Sequence, residues 1–79
     1  MISKGKKFIL SNGITVVLTI DEINILSKLA DGCRSVDISE QTSYNETYVR
    51  NKVTIILNKL GATCRTHAVA ISLRECIIN

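Results

Sequence analysis

Apolar and polar positions along the chain change period several times, and each change marks an element. Phe8-Ile9-Leu10 and Ile14-Thr15-Val16-Val17-Leu18 are apolar, β-branched runs on either side of Ser11-Asn12-Gly13. Such runs around an Asn-Gly pair predict a β-hairpin. A lone hairpin is marginal in water, so this one is expected to pack on something. Residues 1–7 are polar and basic and read as a loose arm. Thr19-Ile20-Asp21-Glu22 is a capping box, in which the Thr19 hydroxyl and the Glu22 carboxylate each satisfy the other's backbone amide. Leu18 and Ile23 are placed to staple the entry, and Ile25, Leu26 and Leu29 recur at helical spacing before Asp31-Gly32 stops the helix. The expected first helix covers about 20–31.

Ser35 stands where an N-cap would start a short helix near 36–42, with Val36 and Ile38 as its apolar contacts. Ser43-Tyr44 turns the chain and Asn45 caps the next helix, expected near 46–60. Val49, Val53, Ile56 and Leu60 fall on one stripe of that helix, Leu57 widens it, and Gly61 ends it. The opposite face collects Thr47, Arg50, Asn51, Thr54 and Asn58, which are hydrogen-bonding side chains with one cation and no acid. A solvated helix face more often mixes Glu with Lys. From Thr63 to about Cys76, Ala68, Val69, Ser72, Leu73 and Cys76 recur at helical spacing. Val69, Ile71 and Leu73 also alternate as in a strand, but the length of the segment favours a helix.

The predicted fold is therefore mainly α: four helices preceded by a short N-terminal hairpin. Composition agrees, with 46% hydrophobic residues, no proline or tryptophan and 4% aromatics, so the core must be aliphatic. In 79 residues such a core leaves little surplus stability, and a second copy of the chain would add to it. The net charge of +3 is mild, but its distribution is uneven. Lys4, Lys6 and Lys7 stand in residues 1–17 without an acid, whereas Asp21, Glu22, Asp31, Asp37 and Glu40 outnumber Lys28 and Arg34 in 18–42. Arg50, Lys52, Lys59, Arg65 and Arg74 outnumber Glu46 and Glu75 thereafter. A polyanion would meet the two flanks rather than the middle.

Cys33, Cys64 and Cys76 have no CxxC spacing, and His67 is a lone histidine read as a surface residue, so no metal site is expected. The cysteines read as free thiols, two of them small core residues. No cofactor and no small-molecule substrate is implied. The carboxylates sit mainly at helix starts without acid–base pairing, and no nucleophile has a partnered histidine, so no enzyme is expected. Nor does any apolar run suggest a membrane span or signal peptide. Tyr44 and Tyr48 read as packing residues at the turn.

A short helix, a tight turn and a longer helix with a polar outer face follow the helix-turn-helix plan, whose second helix enters the major groove. There Arg50 suits guanine acceptors and Asn51 pairs bidentately with adenine. Asn45 and Thr47 suit phosphates near the helix start, where amides and dipole favour anions. Lys52, beside the buried stripe, is expected to snorkel or to reach a phosphate.

From Leu18 to Ile78 the chain resembles the LuxR/GerE-type DNA-binding domain of bacterial transcription regulators. Leu18-Thr19 with Glu22 matches its LT-x-x-E start, and Ile25-Leu26, Leu29-Ala30 and Gly32 match its VL-x-x-LA-x-G segment. Ile38 falls at the isoleucine of the second helix, and Val49-Arg50 matches a TV-K/R step. Lys59-Leu60-Gly61, Arg65 and Ala68-Val69 match the specific stretch KLG-x-x-x-R-x-x-AV. The family pattern also has Thr where this chain has Tyr48, His where it has Lys52, Lys where it has Val36 and Leu where it has Thr42.

The resemblance implies a domain at 18–79 behind a basic arm and hairpin at 1–17. It implies cytoplasmic, sequence-specific binding of double-stranded DNA as a homodimer or as a heterodimer with a related regulator. Base contacts would come from Arg50, Asn51 and Thr54, and phosphate contacts from Ser35, Thr47 and Arg65, with Lys52 added by its position. The last helix, through Val69, Ser72, Leu73 and Cys76, would form the dimer contact. A second reading is the winged-helix domain of response regulators, which also places a hairpin before an LT-x-x-E helix but requires a β-hairpin wing after Gly61. A third is a helical adaptor that pairs with another regulator without DNA.

Overall fold

A computed structural model describes residues 5–78; Lys4 of the basic arm lies outside the described residues. Strands β1 (Gly5–Ile9) and β2 (Thr15–Thr19) form an antiparallel hairpin, followed by α1 (Ile20–Ala30), α2 (Ser35–Gln41), α3 (Glu46–Leu60) and α4 (Arg65–Arg74). The expected hairpin and all four helices are present. After Gly61 the described residues hold helix α4 and no strand, so they do not form the wing that the winged-helix reading requires.

Asn12-Gly13 turns the hairpin as its sequence dictates. Gly13 has a φ of 86°, its amide donates to the Leu10 carbonyl at 2.9 Å, and Asn12 Oδ1 accepts from the Ile14 amide at 3.0 Å. Residues 5–7, expected in a loose arm, belong instead to β1, with Lys6 opposite Leu18 and Lys7 opposite Val17. A strand ladder needs only backbone groups, and lysines are ordinary residues on an edge strand. Val16 and Leu18 face inward and are buried, whereas Thr15 and Val17 face solvent.

One aliphatic core joins every part of the fold. It contains Leu10, Val16 and Leu18 from the hairpin region; Ile25, Leu26 and Leu29; Ile38; Val49, Val53, Ile56 and Leu60; Ala68 and Ile71; and Ile77 and Ile78 after α4. Burying one such side chain contributes roughly 1.5–3 kcal/mol. The hairpin is therefore packed on the helices rather than projecting from them.

The helix ends follow local chemistry, with two departures. The capping box at Thr19 and Glu22 is formed, and Gly61 closes α3 in the left-handed conformation at φ 66°. The second helix starts one residue earlier than expected. Arg34 is its N-cap, with the Arg34 amide donating to Asp37 Oδ2 at 2.8 Å. The Ser35 hydroxyl is engaged elsewhere, accepting from Arg65 Nη2 at 3.0 Å. The last helix is shorter than expected: Cys64 caps it without a side-chain bond and it ends at Arg74. Cys76 lies beyond it at a positive φ of 59°, and the Ile77 amide returns to the Ser72 carbonyl at 2.8 Å.

Candidate nucleic-acid interface

The start of α3 is fixed by short polar side chains. Thr42 Oγ1 donates to the Ile38 carbonyl at 2.7 Å and accepts from the Tyr44 amide at 3.2 Å. Asn45 Oδ1 then accepts from the Tyr48 amide at 2.7 Å, which is the expected cap. Thr42, polar where the family pattern has Leu, thus closes the turn between α2 and α3.

The stripe Val49, Val53, Ile56 and Leu60 is buried, and this rotates Thr47, Arg50, Asn51, Thr54 and Asn58 into solvent. All five are exposed. Thr54 Oγ1 donates back to the Arg50 carbonyl at 3.3 Å, a local bond that leaves the face open. The face is not free of acid, however: Glu46, one turn earlier, holds the Arg50 guanidinium in an i,i+4 ion pair. Sequence reasoning placed Glu46 among the charges of the basic flank and overlooked its reach along the helix.

The flank of α3 that meets α1 is saturated. Tyr44 and Tyr48 donate to the two oxygens of Asp21, at 2.6 and 2.9 Å, with their rings 5.0 Å apart. Glu22, 1% exposed, accepts from the Thr19 amide at 2.9 Å and from Lys59 Nζ at 2.7 Å, and its other oxygen lies 3.4 Å from Lys52 Nζ. Lys59 also donates to the Val17 carbonyl at 2.9 Å, and Lys52 sits 5.7 Å from the Tyr48 ring centre. Glu22 thus carries two charged partners besides its role in the capping box. The capping box is visible in sequence, but the lysines lie 30 and 37 residues away.

The electrostatics follow these contacts. Burial pushes the Glu22 carboxyl up, but the Lys59 and Thr19 hydrogen bonds and the two lysine charges outweigh it and hold it below the usual carboxylate range. Hydrogen bonds from Tyr44 and Tyr48 hold Asp21 below its ordinary value. The same bond to Asp21 pushes the Tyr44 hydroxyl up to about 12. Lys52 reaches a carboxylate here, not open solvent.

Of the positions expected to contact phosphate, Ser35 and Arg65 are brought together by their hydrogen bond, Ser35 buried and Arg65 exposed. Beside them Leu29, Cys33, Arg65, Thr66 and Val69 line a cavity of about 180 Å³. Thr47 is exposed in the first turn of α3. On α4, Leu73 and Val69 are exposed and half-buried, and Cys76 is exposed beyond it. Ser72 is fully buried, its hydroxyl donating to the Ala68 carbonyl at 2.8 Å, so it faces the core. Only Cys33 packs against the core; Cys64 and Cys76 are exposed, contrary to the expectation of two core cysteines. His67 is half-buried and accepts from the Thr63 amide at 3.1 Å, supplying the α4 start with a bond that Cys64 does not. Among the described residues no group of three metal-ligating side chains occurs, and no helix is long and apolar enough to cross a membrane.

No family model and no solved structure matches the chain. It is 38% identical over 61 residues, 77% of its length, to the transcriptional regulatory protein YdfI of Bacillus subtilis (strain 168). It is 37% identical over 57 residues, 72% of its length, to the uncharacterized transcriptional regulatory protein YxjL of the same organism. The chain spans 29% and 26% of those two proteins, under a third of either. Over most of its length it is thus homologous to a segment of proteins named as transcriptional regulators.

Proposed function

We propose that the chain is a LuxR/GerE-type DNA-binding domain that regulates transcription in the bacterial cytoplasm, residues 18–79 carrying the helix-turn-helix module. The observation that carries this reading is the outward face of α3. Thr47, Arg50, Asn51 and Thr54 are exposed together on a helix whose other flank is tied to α1. In the major groove Arg50 would read guanine O6 and N7, Asn51 would pair with adenine, and Thr54 would serve either. Thr47 and Arg65 would contact phosphates, with the buried Ser35, also a phosphate candidate by sequence, holding the Arg65 guanidinium in place. Lys52 would join them only by leaving Glu22. Two sequence relatives named transcriptional regulatory proteins support the regulatory role.

A homodimer, or a heterodimer with a related regulator, would use Val69, Leu73 and Cys76, with Ser72 supporting them from the core. Two copies of α3 would then enter major grooves about 34 Å apart on a roughly palindromic site. The role needs no cofactor, metal or catalytic group.

Selection from a random DNA pool, followed by gel shifts on the selected site, tests the reading. Arg50→Ala should cost on the order of 1–3 kcal/mol of affinity and blur one base preference. Wild-type binding by both Arg50→Ala and Asn51→Ala would remove the assigned face. The adaptor reading draws support from the internal use of cations: Lys52 and Lys59 on Glu22, and Arg34 on Asp37. It would replace the first if no DNA bound at low salt while a complex with a partner regulator formed.

A further inference from the structure

Glu46 is the first residue of α3, one helical turn before Arg50, and its carboxylate holds the Arg50 guanidinium. The two side chains are 37% and 67% exposed, so the pair supports no core and adds little to stability. It stands instead at the leading end of the helix, the end whose residues meet base edges when such a helix enters the major groove. We infer that Glu46 is a specificity-determining residue of this surface, accepting from the N4 amine of a cytosine next to the guanine that Arg50 reads. The inference rests on the DNA-binding reading of α3.

The chemistry is asymmetric in two ways. An ionised carboxylate accepts hydrogen bonds and donates none. In the major groove guanine offers only acceptors, thymine an acceptor and a methyl group, and adenine an acceptor beside its donor; cytosine offers a donor alone. Cytosine is therefore the base that Glu46 meets without repulsion. Phosphates repel it as well. On non-cognate DNA, a phosphate that approaches Arg50 also approaches the Glu46 carboxylate paired with it, and Glu46 is left facing negative charge. On the cognate site both leave the pair together, each for a base. One ion pair thus favours the right sequence and penalises the wrong ones.

The test is random-pool selection with the wild-type chain and with Glu46→Gln, followed by titration on the selected and on unrelated duplexes. A glutamine of the same shape pairs bidentately with adenine. The expected wild-type consensus has a cytosine next to the position that Arg50→Ala blurs. Glu46→Gln should shift that position from cytosine to adenine, by roughly five-fold or more in relative affinity. It should also tighten binding to unrelated DNA several-fold at low salt. A wild-type consensus that Glu46→Gln leaves unchanged at every position, with unrelated DNA bound no tighter, overturns this inference alone. Selection of no consensus by the wild-type chain overturns the DNA-binding reading and this inference with it.

Discussion

Around one flank of α3, Tyr44, Tyr48, Lys52 and Lys59 direct their polar atoms at Asp21 and Glu22 of α1. On the opposite face, the side chains of Arg50 and Thr54 bond only within their own helix, and Thr47 and Asn51 have no side-chain partner among the described residues. The two sides have similar composition, lysine and tyrosine hydroxyls against arginine, amide and threonine hydroxyls. What separates them is whether a fixed acceptor stands within reach. A polar group bonded inside the fold stabilises it and is costly to redirect, whereas one facing water exchanges its partners at little cost. Lysines counted in a basic flank are therefore not equally available to a polyanion, and net charge overstates the cations that α3 can offer.

The largest expected effect separates the two sides outright. Glu22→Ala leaves the Lys52 ammonium and the Thr19 amide without their acceptor and Lys59 with the Val17 carbonyl alone, and should lower stability by about 3 kcal/mol, read as a urea midpoint. A loss under about 0.5 kcal/mol, ordinary for a surface site, would mean that Lys52 and Lys59 simply turn to water and the contrast is false. Next comes the outward face: Asn51→Ala should weaken cognate DNA binding by about 1–3 kcal/mol while leaving the urea midpoint unchanged. Tyr48→Phe inverts that pattern, costing about 1 kcal/mol of stability through the lost bond to Asp21.

A smaller effect is pH dependence. Asp21 and Glu22 titrate below their ordinary values of 3.8 and 4.5, so their contribution is complete above those values and is lost as the pH falls through the lowered ones. Stability measured by urea titration should fall below about pH 4, more shallowly in Asp21→Asn. At the alkaline end Tyr44 ionises near 12 rather than 10, so its contribution disappears as the pH rises from 10 toward 12. Tyr44→Phe should shrink that limb, leaving the part that Tyr48 supplies, whose hydroxyl burial and Asp21 also push up, seen in the tyrosinate absorbance and the urea midpoint together.

What was legible in the sequence was local or periodic. Asn12-Gly13, the Thr19–Glu22 box, Asn45 and Gly61 act over a few residues and gave the element boundaries. The Val49–Leu60 stripe fixed which side of α3 is buried, and hence the outward set that includes Arg50, Asn51 and Thr54. Partners distant in sequence were not legible. Glu22 already had a complete local role as a cap, and no pattern says that both of its oxygens also meet lysines of α3. Ser35 looked like a cap because its type suits one, but Arg65, thirty residues on, engages its hydroxyl. Lys6 and Lys7 looked like an arm because side-chain polarity hides a backbone ladder.

The Glu22 carboxylate has a further consequence for the order in which the molecule opens. It binds the amide of Thr19, the last residue of β2, and the lysines of α3 at once. The hairpin cannot detach from its inner end without disturbing the charge pairs that hold α3 to α1. In native-state hydrogen exchange the Thr19 amide should accordingly be among the slowest in the chain, exchanging with the free energy of global unfolding, while amides at the hairpin tip exchange through local opening.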